Sequence, residues 1–188
     1  MTWVTFGEGT RRLKSQEALD DASSAIYKWA YGPIQPGGES RVMYISAVTL
    51  LRVFGHVLHK VDCNKFPEIG AEVERRFQRW KKGEGRDLIF AEFIEKERNL
   101  ILKEYAPNWS PDNEVELKWR TLPAGPYASE ESKQFSAALF KGLEGRTMKA
   151  ILMPTGPFAG WSFDELLSEA ASWWMQQLFE IELLLEDA

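Results

Sequence analysis

Near its end the chain carries apolar residues at Phe163, Leu167, Ala170, Trp174, Leu178, Ile181 and Leu185, three or four apart without a break. That spacing returns to one side of an α-helix at every turn, and an apolar stripe of this length has to be covered by something. Ser162 and Glu165 stand where a capping box would, the hydroxyl and the carboxylate each satisfying a backbone N–H at the helix start. The chain is therefore expected to build itself around a long C-terminal helix docked on a core. Trp173, Leu183 and Leu184 widen the stripe beyond what one core covers, and such a face suits a second copy, so a homodimer is expected.

Earlier segments repeat the helical period. Ser15 is a favourable N-cap for a helix with Leu19, Ala22, Ile26, Trp29 and Ala30 on one side, stopped by Gly32 and Pro33. Ser40 caps a second, with Ile45, Val48, Leu51, Phe54 and Leu58, running to about Val61. A third starts with Pro67 in its first turn and carries Ile69, Val73, Phe77 and Trp80 as far as Gly83-Glu84-Gly85. Asp87 caps a fourth through Tyr105, with Phe90, Ile94 and Ile101 along one side and Pro107 beyond.

After Pro107 the period falls to two: Val115, Leu117, Trp119 and Thr121 alternate with charged residues, which predicts a half-buried strand. Its partner is sought at residues 3–6 or 148–153, with a short helix over 129–143 between. The predicted fold is mainly α: a four-helix antiparallel bundle with a small β element and a long C-terminal helix. It forms one domain over 1–188, with the bundle at 15–105 and the strand, loop and docking helix at 106–188.

A length of 188 residues suffices for one core without disulfides, and the single cysteine, Cys63, excludes an internal disulfide and any paired-thiol zinc ribbon. A reducing, cytoplasmic setting is the expectation. The amino terminus places acidic and glycine residues where an export leader needs an apolar run, and no stretch is expected to reach the roughly 18 apolar residues of a membrane span. A net charge of −5 argues against a general nucleic-acid coat. The run Arg75-Arg76-Phe77-Gln78-Arg79-Trp80-Lys81-Lys82 is locally basic, and reads as a solvated helix face or a basic groove. Gly7-Glu8-Gly9 and Gly83-Glu84-Gly85 lack the strand–glycine–helix context of a nucleotide loop, so no cofactor is assigned.

Two segments carry candidate chemistry. Arg52, His56 and His59 fall at i, i+4 and i+7 on one helical face, a guanidinium beside two imidazoles. Histidines in an apolar helix are more often hydrogen-bonded in a core. As metal ligands these two lack a third unless Cys63 or Asp62 is recruited, and no metal site is assigned. The second segment is Arg98-Asn99, followed by Lys103, Glu104 and Tyr105, where a partly buried guanidinium requires either an ion-pair partner such as Glu95 or an anionic ligand.

The Arg98-Asn99 pair within a bundle helix, with Lys103 and then Glu104-Tyr105 after it, resembles the signature of HEPN domains. In that family an Arg followed by a polar residue precedes a His, and the pair cleaves RNA without metal at a dimer groove. Here Lys103 occupies the histidine position, and an ammonium keeps phosphate affinity without easy proton exchange. The resemblance covers residues 15–105. It implies a HEPN-like binding or assembly protein, inactive at that site, that contacts RNA or a protein partner through Arg98, Asn99, Lys103 and Tyr105. Arg52 and His59 also fit the family spacing, although Val53 replaces the polar residue, so a metal-independent endoribonuclease using Arg52, His56 and His59 is the alternative. A partner subunit of a larger complex is a third reading.

Overall fold

The computed structural model describes residues 13–31, 38–110, 114–118 and 147–186. The expected strand residues 3–6, the expected helix over 129–143, and Trp119 and Thr121 lie outside them. The described chain is mainly helical, with one two-stranded antiparallel sheet.

Helix α1 (Lys14–Tyr31) packs chiefly along α2 (Gly38–Val57). Ser15 does not cap α1 as expected. It is fully buried one residue inside the helix, and its hydroxyl has no hydrogen-bond partner among the described residues. The cap comes instead from Asp62, whose carboxylate oxygens accept the backbone N–H of Lys14 at 2.7 Å and of Ser15 at 2.9 Å. Two of the free donors at a helix start are thereby satisfied by a residue 48 positions away. Local spacing contains no trace of this cap, because it exists only once the end of the second helix lies against the start of the first.

The second helix begins at Gly38, before the expected Ser40, and continues beyond Val57 through a π-helical turn (Leu58–Asp62) and a final turn (Cys63–Lys65). Its core face is Tyr44, Ala47, Val48, Leu51, Phe54 and Leu58, all inaccessible to solvent. Contrary to expectation, the continuous helix Glu39–Lys65 is long and apolar enough to cross a membrane, by length and composition alone, with a mean hydropathy of 1.4. Its outer side remains apolar at Val42 and Val53, which raises the value above what the core face requires.

Helix α3 (Gly70–Lys82) follows a 3-10 turn (Pro67–Ile69) headed by the expected proline. It ends at Gly83, whose φ of +67° suits glycine. A Cβ there would also stand 2.8 Å from that of Ala91. Helix α4 consists of a π-helical stretch (Phe90–Glu95) and an α-helical one (Lys96–Glu104), closed by Tyr105 at φ +52°. Asp87 does not cap it. Its carboxylate is buried and accepts from Arg79 Nε at 2.7 Å and from Trp173 Nε1 at 3.2 Å, joining α3 to the last helix.

Strands β1 (Glu114–Lys118) and β2 (Thr147–Ile151) pair antiparallel, Glu114 opposite Ile151 and Lys118 opposite Thr147. The partner at 148–153 is thus the observed one, but Val115 stays 37% exposed and is not half-buried as its alternation implied. The loop after β2 is held by the Met153 N–H donating to Trp161 O at 2.8 Å and the Gly160 N–H donating to Met153 O at 3.0 Å. It buries Phe158 and leaves Trp161 exposed.

Helix α5 (Phe163–Glu186) opens with the expected capping box. The Glu165 N–H donates to Ser162 Oγ at 3.2 Å, and the Ser162 N–H donates to Glu165 Oε2 at 2.9 Å. All seven residues of the predicted stripe are buried. Trp174 sits at the centre of the core: its ring centroid lies 4.3 Å from that of Phe54 on α2, 5.1 Å from Trp80 on α3 and 5.7 Å from Phe90 on α4.

Replacing Asp62 removes both caps at once. Asp62→Ala is expected to cost about 2 kcal/mol and Asp62→Asn roughly half of that, read from urea unfolding midpoints. Equal midpoints for wild type and Asp62→Ala would refute the remote cap.

Candidate functional site

The packing of Trp174 under α2 depends on Gly55. A Cβ at that position would stand 3.0 Å from the indole, which neighbouring rings hold in place. Above Gly55 the surface opens into a groove of about 350 Å³ between α2, α3 and the π-helical stretch of α4. Its walls bring Arg52, His56, His59 and Lys60 together with Glu74, Phe77, Gln78, Lys81 and Glu95. Both π-helical turns of the described chain contribute to it, His59 and Lys60 from one and Glu95 from the other. Such widened turns commonly mark positions where a helix is shaped for a ligand.

The three residues expected at i, i+4 and i+7 thus share one open site, and neither histidine is a core histidine. His56 is exposed and has no hydrogen-bond partner among the described residues. His59, with 21% of its side chain exposed, bonds through Nε2 to Glu74 Oε2 at 2.6 Å and stacks on Phe77 with ring centroids 5.3 Å apart. Hydrogen bonds from Gln78 and then from His59 hold the Glu74 carboxyl below its ordinary range.

Arg52 makes no hydrogen bond and no ion pair among the described residues. Its Nε is buried without a partner, and its guanidinium carbon lies 5.8 Å from the ring centres of both Phe77 and Phe90. Burial lowers its pKa from the ordinary value, Glu95 opposes that shift, and Arg98 adds to it. Lys81 reaches over the same Phe77 ring at 4.4 Å.

The second expected cluster does not assemble. Arg98 is half-buried and its Nη1 donates to Asn99 Oδ1 at 2.8 Å. Lys103 is exposed. Tyr105 turns to the start of α2, where Arg41 stacks over its ring at 4.6 Å and donates to its carbonyl at 2.7 Å. Arg98 and Asn99 thus stay bonded to each other, while Tyr105 packs on Arg41 and Lys103 faces solvent.

The basic run is for the most part a solvated helix face, with Arg75, Gln78, Arg79, Lys81 and Lys82 exposed, while Arg76 and Trp80 turn into the core. Arg75 and Arg76 both bond Glu72, and Arg76, 8% exposed, also reaches Glu180 and Gln177 on α5. Arg79 is held by Asp87. Gln177 Oε1 accepts from Trp80 Nε1 at 3.0 Å as well, so α3 and α5 are joined by a polar seam inside the core. The hydrogen bond from Arg75, with that from Arg76, lowers the Glu72 carboxyl to about 2.

Sequence reasoning missed two buried carboxylates. Glu97 is inaccessible to solvent and accepts from Tyr44 Oη at 2.9 Å and from the backbone and side-chain nitrogens of Asn108, both at 2.7 Å. Burial raises its pKa against these hydrogen bonds, and burial followed by the Glu97 charge raises the Tyr44 phenol well above 10. This cluster ties the loop after α4 to α2. Asp62 is the other, and nothing in local spacing distinguishes either from a surface acid. Burial also raises the Cys63 thiol, which weakens it as a nucleophile.

Comparison with known families, with curated proteins and with solved structures returns no match.

The depressed Glu72 carboxyl makes part of the α3–α5 seam acid-sensitive. Its folded pKa of about 2 lies below the ordinary 4.5, so its contribution is present above 4.5 and is lost as pH falls through about 2. Glu72→Gln is expected to cost about 1 kcal/mol at pH 7, a value that allows for solvent screening of a partly exposed pair, and to lose most of that cost by pH 2. Unfolding curves of the two proteins that stay as far apart at pH 2 as at pH 7 would contradict this assignment.

Proposed function

We propose that this chain is a binding protein on a HEPN-like antiparallel helical bundle, and that its ligand site is the groove between α2 and α3 rather than the Arg98–Tyr105 segment. One observation carries the reading: Arg52, half-buried at the groove and without a hydrogen bond or ion pair among the described residues, stands with His56, Lys60 and Lys81 around an open space. A guanidinium partly withdrawn from water, with no hydrogen bond or ion pair among the described residues, favours an anion supplied from outside. The ligand proposed is phosphate-bearing RNA. The exposed residues Met175, Phe179 and Leu183, each one turn from the next on α5, are the surface assigned to self-association.

A second reading, metal-independent RNA cleavage, is favoured by the His59–Glu74 hydrogen bond. A carboxylate that fixes an imidazole beside a guanidinium is the usual arrangement for acid–base work on a phosphate. His56 would then exchange the proton with RNA, since His59 has Nε2 committed to Glu74 and one ring face to Phe77.

The deciding experiment incubates the purified chain with a mixed single-stranded RNA pool in chelator, reading retention on a filter and cleavage on a gel. Retention without cleavage, weakened about tenfold by Arg52→Ala, is the expected result. Cleavage that disappears in His56→Ala/His59→Ala would replace it with the second reading, and no retention by wild type would overturn the binding reading. Sedimentation of the same samples tests self-association, with Phe179→Glu/Leu183→Glu expected to give monomer; a wild type that is itself monomeric refutes that surface.

A further inference from the structure

We infer that the groove receives a single phosphomonoester, at an RNA end or on a free nucleotide, rather than an internal stretch of strand. This rests on the binding reading above and narrows its ligand. The groove is lined by three fixed cations, Arg52, Lys60 and Lys81, against two carboxylates, Glu74 and Glu95, which leaves one net positive charge with both histidines neutral. A monoester brings a charge of about −1.5 to −2 near pH 7 and three acceptor oxygens, and so concentrates on one spot what the cluster offers. A diester offers one negative charge at that spot and places its others elsewhere.

Among the described residues, the arginines beside the groove offer no path for those other phosphates. The arginines that follow the groove along α3 are committed internally, Arg75 and Arg76 to Glu72, Arg76 also to Glu180, and Arg79 to Asp87. Glu74 and Glu95 line the site and repel a strand continuing past them. The chain as a whole carries −5, so its far field opposes a polyanion, while a small anion responds chiefly to the groups it touches. The volume of about 350 Å³ falls at the small end of the range of small-molecule sites.

The test is binding of labelled short RNAs of one sequence to the full chain, bearing a 5′-phosphate, a 3′-phosphate or only hydroxyl ends, with AMP and inorganic phosphate as competitors. A phosphorylated RNA is expected to bind at least tenfold more tightly than the hydroxyl RNA and to be displaced by AMP. Arg52→Ala should remove the difference between them while keeping the wild-type circular dichroism and urea midpoint, and Arg52→Lys should keep part of it. Equal binding of phosphorylated and hydroxyl RNA would overturn the inference and leave the RNA-binding reading standing. Binding of AMP without any RNA would assign the site to free nucleotides and overturn that reading instead. No binding of any probe overturns both.

Discussion

The indole of Trp174 is the contact on which the arrangement depends. It touches aromatic rings from α2, α3 and α4 at once, and it comes close to the α2 backbone at Gly55, where a Cβ would stand 3.0 Å from it. Edge-on and tilted ring pairs of this kind add about 0.5–1.5 kcal/mol each to the area they bury. The same approach shapes the surface: with α2 drawn onto the indole at Gly55, the groove opens on the far side of that residue, and Phe77 and Phe90 meet the Arg52 guanidinium.

Around this apolar centre, charge is handled in two different ways. Where α3 meets α5, each cation has an acid or amide to bond: Arg76 with Glu72, Glu180 and Gln177, and Arg79 with Asp87. Buried charges that find their partners in this way hold one packing against its alternatives. In the groove the cations exceed the acids, and Arg52 has neither a hydrogen bond nor an ion pair among the described residues. The contrast between the two sides of α3 is the reason to place ligand binding on one and architecture on the other.

The ends of the helices follow the same division. The capping box of α5 is local, made by two residues three apart, and the sequence declares it. The cap of α1 is made by Asp62 and the acid of α4 is spent on Trp173 and Arg79, so Ser15 and Asp87, the residues a reader of sequence would choose, do neither job. Ser15 and Asp87 satisfy every local rule for a cap; the competing partners are simply better placed once the helices pack.

By itself the sequence determined the mainly helical character, the α5 stripe with its cap, and the placing of Arg52, His56 and His59 on one face, because each depends only on spacing along a chain of fixed period, while of the two strand partners it offered the structure pairs the one at 147–151. It left undecided which face met water. Only the tertiary structure decided that Arg76 and Glu97 are buried while His56 is exposed, that Tyr105 packs on Arg41 while Arg98 bonds Asn99, and that Arg76 and Arg79 of the basic run meet Glu180 and Asp87 from other elements. Those outcomes are set by which side chain from a distant segment arrives at hydrogen-bonding distance, and the periodicity of one helix carries no record of its neighbours.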